Sequence, residues 1–299
     1  MDTWVIGLGG NALMNPKRSQ SFASETHEIS SIAKSIAKLS KRHRIVVTHG
    51  NGTQVGDELL KNLACSVEPL PLYILSAETQ ASIGSVLETA FNSRKPSRQF
   101  CTILTHVEVD TSGSAFKKPT KQIGPFYTRR ELERELGKEK FSYVEERGAF
   151  RRVVPSPRPE TVLELEVIKH TLSRFNVICG GGGGVPMAKT KTGYEGVNAV
   201  VDKDYTTQLI ANGVGASRLL LLTNAEYVYR NYGDSKSAIK SIKATELKRM
   251  LDALEAGTIR PKAEAAANFV ENGGKLAQIG SIGRFYDLIS GKSGTTVVR

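Results

Sequence analysis

Cysteine is scarce in this sequence. The 299-residue chain holds three, Cys65, Cys101 and Cys179, too few and too scattered for a disulfide framework or a zinc site. Long apolar runs are missing as well. The densest, Leu219-Leu220-Leu221-Leu222, is far short of the roughly 20 residues that a membrane span requires. The opening Met1-Asp2-Thr3-Trp4 lacks the basic segment and apolar stretch of a signal peptide, so a cytoplasmic enzyme is expected. No internal repeat or low-complexity segment stands out, and no G-x-x-x-x-G-K-[ST] spacing occurs, which excludes a Walker-type nucleotide site. A composition of 39% hydrophobic and 24% charged residues excludes a disordered chain. The length allows one large domain or two smaller ones with a sizeable core.

Acidic residues are also under-represented: 41 Lys+Arg face 30 Asp+Glu, a formal net charge of +11. The excess is split between two regions. Residues 117–152 hold 11 basic against 6 acidic side chains, and residues 230–299 hold 12 against 7. The first region lacks aromatics interleaved with base at an RNA-binding spacing. Basic residues are moreover interrupted by Glu131, Glu133, Glu135, Glu145 and Glu146. The reading adopted is a solvated surface with a few lysines aimed at phosphate, and no nucleic-acid partner.

Apolar runs alternate with amphipathic stretches along most of the chain. Trp4-Val5-Ile6-Gly7-Leu8 reads as a buried strand running into Gly9-Gly10. Ile29, Ile32, Ala33, Ile36 and Ala37 recur at helical spacing, which predicts a helix from about Ser24 to Lys41. A strand at 45–48, helices at 54–62 and 76–91 and a strand at 102–104 follow. This order argues for a largely parallel sheet with helices on both faces. Between Gly113 and Val154 the alternation breaks, which predicts an inserted subdomain with a charged helix over 128–136 and extended pieces near 141–144. Thr161-Val162-Leu163-Glu164 fits a capping box opening a helix. Next come a strand at 176–179, the run Gly180 to Gly184 and a helix opening near Asp202. A strand at 218–222, helices near 245–254 and 262–272, and strands at 276–279 and 295–298 complete the chain.

Three glycine-rich turns follow strands: Gly9-Gly10-Asn11, Gly50-Asn51-Gly52 and Gly180 to Gly184. In open α/β sheets, ligands bind where the carboxyl ends of strands gather. Glycine lets the backbone approach an anion and point N–H groups at it. Glycine also serves ordinary tight turns, but three such turns on one side of a parallel sheet predict a phosphate or anion site.

Several motifs resemble the carbamate kinases of the amino acid kinase superfamily. They are Val5 to Leu13, His49-Gly50-Asn51-Gly52-Thr53-Gln54-Val55-Gly56, and Thr105 to Asp110 with Pro119 to Tyr127. Arg151 to Pro159, Gly181 to Pro186, Val201-Asp202-Lys203-Asp204 and Pro261-Lys262 continue the match in family order. The resemblance implies a three-layer αβα sandwich with a mainly parallel central sheet and a small protruding subdomain. It further implies one amino acid kinase domain over 1–299. Residues about 1–160 would form the acceptor-binding half, with the flap inserted at about 113–152, and residues about 161–299 the nucleotide-binding half. A homodimer and reversible phosphoryl transfer between Mg-ATP and carbamate, giving ADP and carbamoyl phosphate, are also implied. Other readings are a superfamily enzyme for another small acid or phosphate, or a catalytically weak nucleotide-binding regulatory protein.

By that resemblance, Lys121, Lys203 and Lys262 neutralise the transferring group and Asp204 holds the lysines. Taken alone, each lysine would read as a solvated surface residue, and Asp202 beside Lys203 as part of a helix cap. Backbone N–H groups of Gly9, Gly10 and Gly50, with the Asn11 and Asn51 side chains, would bind carbamate. Gly181, Gly182, Thr223, Asn224 and Tyr229 would lie beside the nucleotide. A structural role is expected for His49, since this chemistry gives it no proton to move. Thr53, His106, Asn224 and Arg260 depart from the family pattern. Arg260 stands where glycine is usual; its guanidinium is expected to reach a nucleotide phosphate, with backbone strain if its φ is positive.

Overall fold

The strand Thr3–Leu8 is buried along its whole length, as a strand covered on both faces must be. Its side chains alternate between two separate cores. Val5 joins Val46, Val177, Leu219 and Leu221 on one face, while Ile6 and Leu8 join Ile45, Val47, Leu220 and Leu222 on the other. The computed structural model describes residues 1–9, 22–64, 68–137, 140–146, 148–231, 233–255 and 258–299.

An eight-stranded sheet forms the middle layer. Its order is Ser241–Lys243, Thr295–Val298, Leu276–Ser281, Arg218–Thr223, Thr3–Leu8, Arg44–His49, Asn176–Ile178 and Phe100–Thr102. All neighbours pair in parallel except Leu276–Ser281 with Thr295–Val298. The helices Lys203–Gly213 and Ile259–Glu271 cover one face through Ile210, Ala211, Ala266, Phe269 and Val270. Phe22–Leu39 and Leu72–Asn92 cover the other through Ile32, Ile36, Leu87 and Phe91. The result is the expected three-layer α/β sandwich around a mainly parallel sheet.

The predicted insertion builds its own sheet. Lys121–Tyr127, Ala149–Val154 and Ser142–Glu146 pair antiparallel, with Ala149–Val154 in the centre. The helix Arg129–Leu136 opens on a full capping box between Thr128 and Glu131. The local excess of base is used inside this unit. Arg129 stacks over Phe150, Arg151 over Phe126 and Arg152 over Phe141, each within 5.0 Å of the ring centre, where a cation is attracted to the ring face.

Two local expectations are corrected. The 161–164 motif does not open a helix: Pro159–Val162 is a strand paired with His106–Val109, and the helix Leu165–Thr171 starts later with no side-chain cap. Glu164 instead accepts from the backbone N–H of His106 and pairs with its Nδ1 at 2.8 Å. The strand expected at 102–104 lies two residues earlier, at Phe100–Thr102, where the carboxamide of Asn92 holds both backbone groups of Phe100.

Phe269 tests the packing of the core. It is fully buried, and even a methyl group on Gly274 would come within 2.3 Å of its ring. Phe269→Ala should lower stability by about 3–5 kcal/mol, read as a shift in the urea midpoint.

Candidate active site

Because Thr3–Leu8, Arg44–His49 and Asn176–Ile178 are adjacent and parallel, the turns that follow them meet on one rim. Gly9 and Gly50 lie there, but their N–H groups do not face a ligand. Gly9 N–H donates to the Leu222 carbonyl at 3.2 Å and Gly50 N–H to the Leu8 carbonyl at 3.1 Å. The ladder simply runs one residue further, which corrects the expectation that these two amides would hold an anion. Gly10 and Asn11 lie outside the described residues, as does Cys65.

Asn51 is buried, and its amide donates to Thr79 Oγ1 at 2.9 Å. The glycine run packs against it. Gly180, Gly182, Gly183 and Gly184 have φ between 61° and 93°, a region that favours glycine. A Cβ on Gly182 would come within 2.3 Å of the Asn51 amide, and one on Gly181 within 2.5 Å of the His49 ring. Gly181 and Gly182 therefore sit against the proposed acceptor-side residues rather than apart from them. His49 is fully buried, and burial, with the Lys203 charge, pulls its pKa down to about 4. Its Nδ1 lies 3.3 Å from the Gly50 carbonyl, while Nε2 has no hydrogen-bond partner among the described residues. The neutral ring fills space under Gly181.

The lysines converge beside this rim. Asp202 caps the helix Lys203–Gly213, its side chain accepting from the Asp204 amide at 3.0 Å. Lys203 turns back toward the first strand, so that a methyl on Gly7 would stand 3.2 Å from Nζ. Asp204 binds Lys203 Nζ through Oδ1 at 2.6 Å and Lys262 Nζ through Oδ2 at 2.8 Å. Its side chain is 3% exposed, those of Lys203 and Lys262 8% and 12%. Lys262 stands one turn into Ile259–Glu271, which opens earlier than the 262–272 expected. Lys121 arrives from the insertion and binds Asp202 Oδ2 at 2.8 Å. Lys203 and Lys262 thus share Asp204, while Lys121 reaches Asp202, two residues before it.

Burial pushes Asp204 toward protonation, but two ammonium groups hold its pKa well below the carboxylate range. For Lys203, burial prevails over the Asp204 charge and lowers the pKa, and the Lys262 charge adds to this. Burial works against Lys262 too, yet the Asp204 carboxylate holds its pKa above the ordinary lysine value.

The remaining candidates are more dispersed. Thr223 ends a strand of the same sheet beside Ser281, one strand over from Leu8. Tyr229 lies in a two-residue ladder with Ala238, its ring edge-on to Tyr227, and Asn224 directly follows Thr223. Arg260 is helical, and its guanidinium binds Asp252 Oδ1 at 2.7 Å. Among the described residues Lys95 is the sole non-glycine with positive φ, so Arg260 carries no such strain. Another network escapes sequence reasoning. Arg158 grips Glu264 with both nitrogens at 2.8 Å and stacks 4.4 Å over Tyr205, whose hydroxyl donates to Glu264 at 2.8 Å. The available signal was position: Tyr205 follows Asp204, and Glu264 lies two residues past Lys262.

The Amino acid kinase family profile matches residues 2–281. The carbamate kinase of Haemophilus influenzae is 36% identical over 300 aligned residues, 99% of this chain and 96% of that protein. Carbamate kinase 2 of Enterococcus faecalis is 37% identical over 289 residues, 92% of each chain. The chain belongs to the carbamate kinase family. A carbamate kinase structure from Giardia lamblia bound to AMP-PNP superposes with a TM-score of 0.90 at 32% identity, covering 99% of this chain and 98% of that one.

In this family member, Asp204 is the shared counter-ion of two buried cations. Removing one partner of such an arrangement leaves uncompensated buried charge. Asp204→Asn should therefore destabilise the protein at neutral pH by about 3–5 kcal/mol, measured by urea unfolding.

Proposed function

We propose that this chain is a carbamate kinase, transferring the γ-phosphoryl group of Mg-ATP reversibly to carbamate to give ADP and carbamoyl phosphate. The observation that carries the reading is the convergence of Lys121, Lys203 and Lys262, from three distant segments, around Asp202 and Asp204. Phosphoryl transfer asks for in-line positioning and charge neutralisation more than for covalent chemistry. A carbamate oxygen attacks the γ-phosphorus, the new O–P bond forms, and the bond to the β,γ-bridging oxygen breaks as ADP leaves. Carbamate already carries a nucleophilic oxygen, so no general base is assigned.

Lys203 and Lys262 neutralise the phosphoryl oxygens, Asp204 fixes the distance between them, and Lys121 covers the group from the insertion. Gly9, Gly10, Asn11, Gly50 and Asn51 form the carbamate side, Gly9 and Gly50 by leaving room rather than by donating. Thr223, Asn224, Tyr229 and Arg260 form the nucleotide side, and Gly181 and Gly182, packed against His49 and Asn51, stand on the acceptor side instead. For Arg260, release from Asp252 costs little: the Asp252 side chain is 94% exposed, and such pairs are worth about 0–1 kcal/mol. Mg2+ enters with the nucleotide phosphates as part of the substrate. Among the described residues no cluster of three His, Cys, Asp or Glu side chains is arranged to hold a metal, and Asp202 and Asp204 are engaged by lysines. No helix among the described residues is long and apolar enough to cross a membrane. A cytoplasmic homodimer, divided into acceptor and nucleotide halves, is proposed on the family resemblance.

The test is ATP formation from ADP and carbamoyl phosphate with Mg2+, read by a coupled assay. No ATP above a no-enzyme control would sink the reading. Lys203→Ala, Lys262→Ala and Lys121→Ala should each lower turnover by roughly 100- to 1000-fold with the fold retained. A variant with near wild-type turnover would remove its lysine from the machinery.

The pH profile is a separate check. Lys203 must be charged to neutralise a phosphoryl group, and its pKa lies below the ordinary lysine value of 10.5. Turnover should consequently fall on the alkaline side before an ordinary lysine would titrate. Lys203→Arg, which keeps its charge at every accessible pH, should flatten that limb even if its absolute rate is lower.

A further inference from the structure

Asp202 uses its two oxygens for different purposes. Oδ1 accepts from the Asp204 amide and caps the helix, while Oδ2 accepts from Lys121 Nζ at 2.8 Å across 81 residues of sequence. We propose that Asp202 is a positioning residue: it latches the inserted subdomain onto the first turn of the helix carrying Lys203 and Asp204, and so sets where the Lys121 ammonium stands over the site. The use made of Lys121 rests on the phosphotransfer reading; the latch itself does not.

Capping alone does not explain an aspartate here. One acceptor suffices for an N-cap, and asparagine or serine serves about as well. The second oxygen is what calls for a carboxylate, and the ammonium of Lys121 occupies it. Lys121 needs such a partner. Its side chain is 30% exposed, and a long lysine stem left to itself spreads over many rotamers. The Asp202 side chain is 13% exposed, so their contact is less screened than an open surface pair.

Position makes the contact consequential. Lys121 is the first residue of its strand, facing Val154 in the neighbouring one, so it stands at the root of the insertion and not at its tip. Just beyond the exit from the insertion, Arg158 is held by Glu264 and stacks on Tyr205. The insertion is thereby tied on both sides to the N-terminal halves of the helices that carry Lys203, Asp204 and Lys262. Asp202 makes the tie that ends on a lysine of the proposed machinery.

The experiment compares Asp202→Asn and Asp202→Ser, which keep a capping oxygen, with Lys121→Ala and the double variant Asp202→Asn/Lys121→Ala. Asp202→Asn should leave the melting temperature nearly unchanged while amide exchange quickens in Lys121–Tyr127 and Ala149–Val154, as it should in Lys121→Ala. Its kcat should fall about 10- to 100-fold, the usual scale for a misplaced group, with KM for ADP changed far less. In the Lys121→Ala background the same substitution should cost almost nothing, because the residue it acts through is gone. Multiplying losses, or unaltered exchange in Lys121–Tyr127 for both cap-preserving variants, would overturn the proposal. Should the wild type form no ATP, the phosphotransfer reading falls, and the exchange measurement still decides whether the latch exists.

Discussion

A single carboxylate shared by two nearly buried ammonium groups organises this molecule's candidate site. Asp204 is 3% exposed and touches both Lys203 and Lys262. Each of the three charges alone would be costly to remove from water. Together they are tolerable, and two cations to one anion leave positive charge unmatched beside the rim of the sheet. Under the phosphotransfer reading that surplus is what meets the transferring group. Lys203 and Lys262 are held in place by Asp204 before any anion arrives, as preorganised electrostatics requires.

The fold serves this carboxylate from several directions. The parallel sheet brings the turns after Leu8, His49 and Ile178 to one edge, and the half-buried cap at Asp202 starts the helix that presents Lys203 and Asp204. A neighbouring helix supplies Lys262, with Pro261 in its first turn, where a missing N–H costs nothing. The insertion, stiffened by three arginine–aromatic stacks, delivers Lys121. Around the rim, glycines are used for close approach: Gly181 and Gly182 leave room for His49 and Asn51. The glycine turns thus act as packing surfaces, and the amides of Gly9 and Gly50 are taken by the sheet.

The helix cap at Asp202 was legible because it involves residues only two apart, whereas the capping box between Thr128 and Glu131 emerged only with the structure. The same kind of pattern misled at Thr161 and Glu164. There a strand partner, His106–Val109, was available across the fold, and cross-strand pairing outweighed a local cap. The strand at Phe100–Thr102 was displaced in the reading for a related reason, since its bounds depend on Asn92, Glu88 and the neighbouring strand rather than on its own residues.

Taken by itself, the sequence determined the class of fold and most strands and helices of the central sandwich, since buried strands and amphipathic helices are written in spacings of one to four residues. It also carried the family motifs that named the three lysines. Tertiary structure alone decided what those lysines are. An isolated ammonium on a long stem reads as solvated surface, whether at position 121, 203 or 262. Lys121 meets Asp202 across 81 residues and Lys262 meets Asp204 across 58, distances over which no periodicity carries information. Burial beside a shared carboxylate makes Lys203 and Lys262 candidates for a site, and burial belongs to the folded chain.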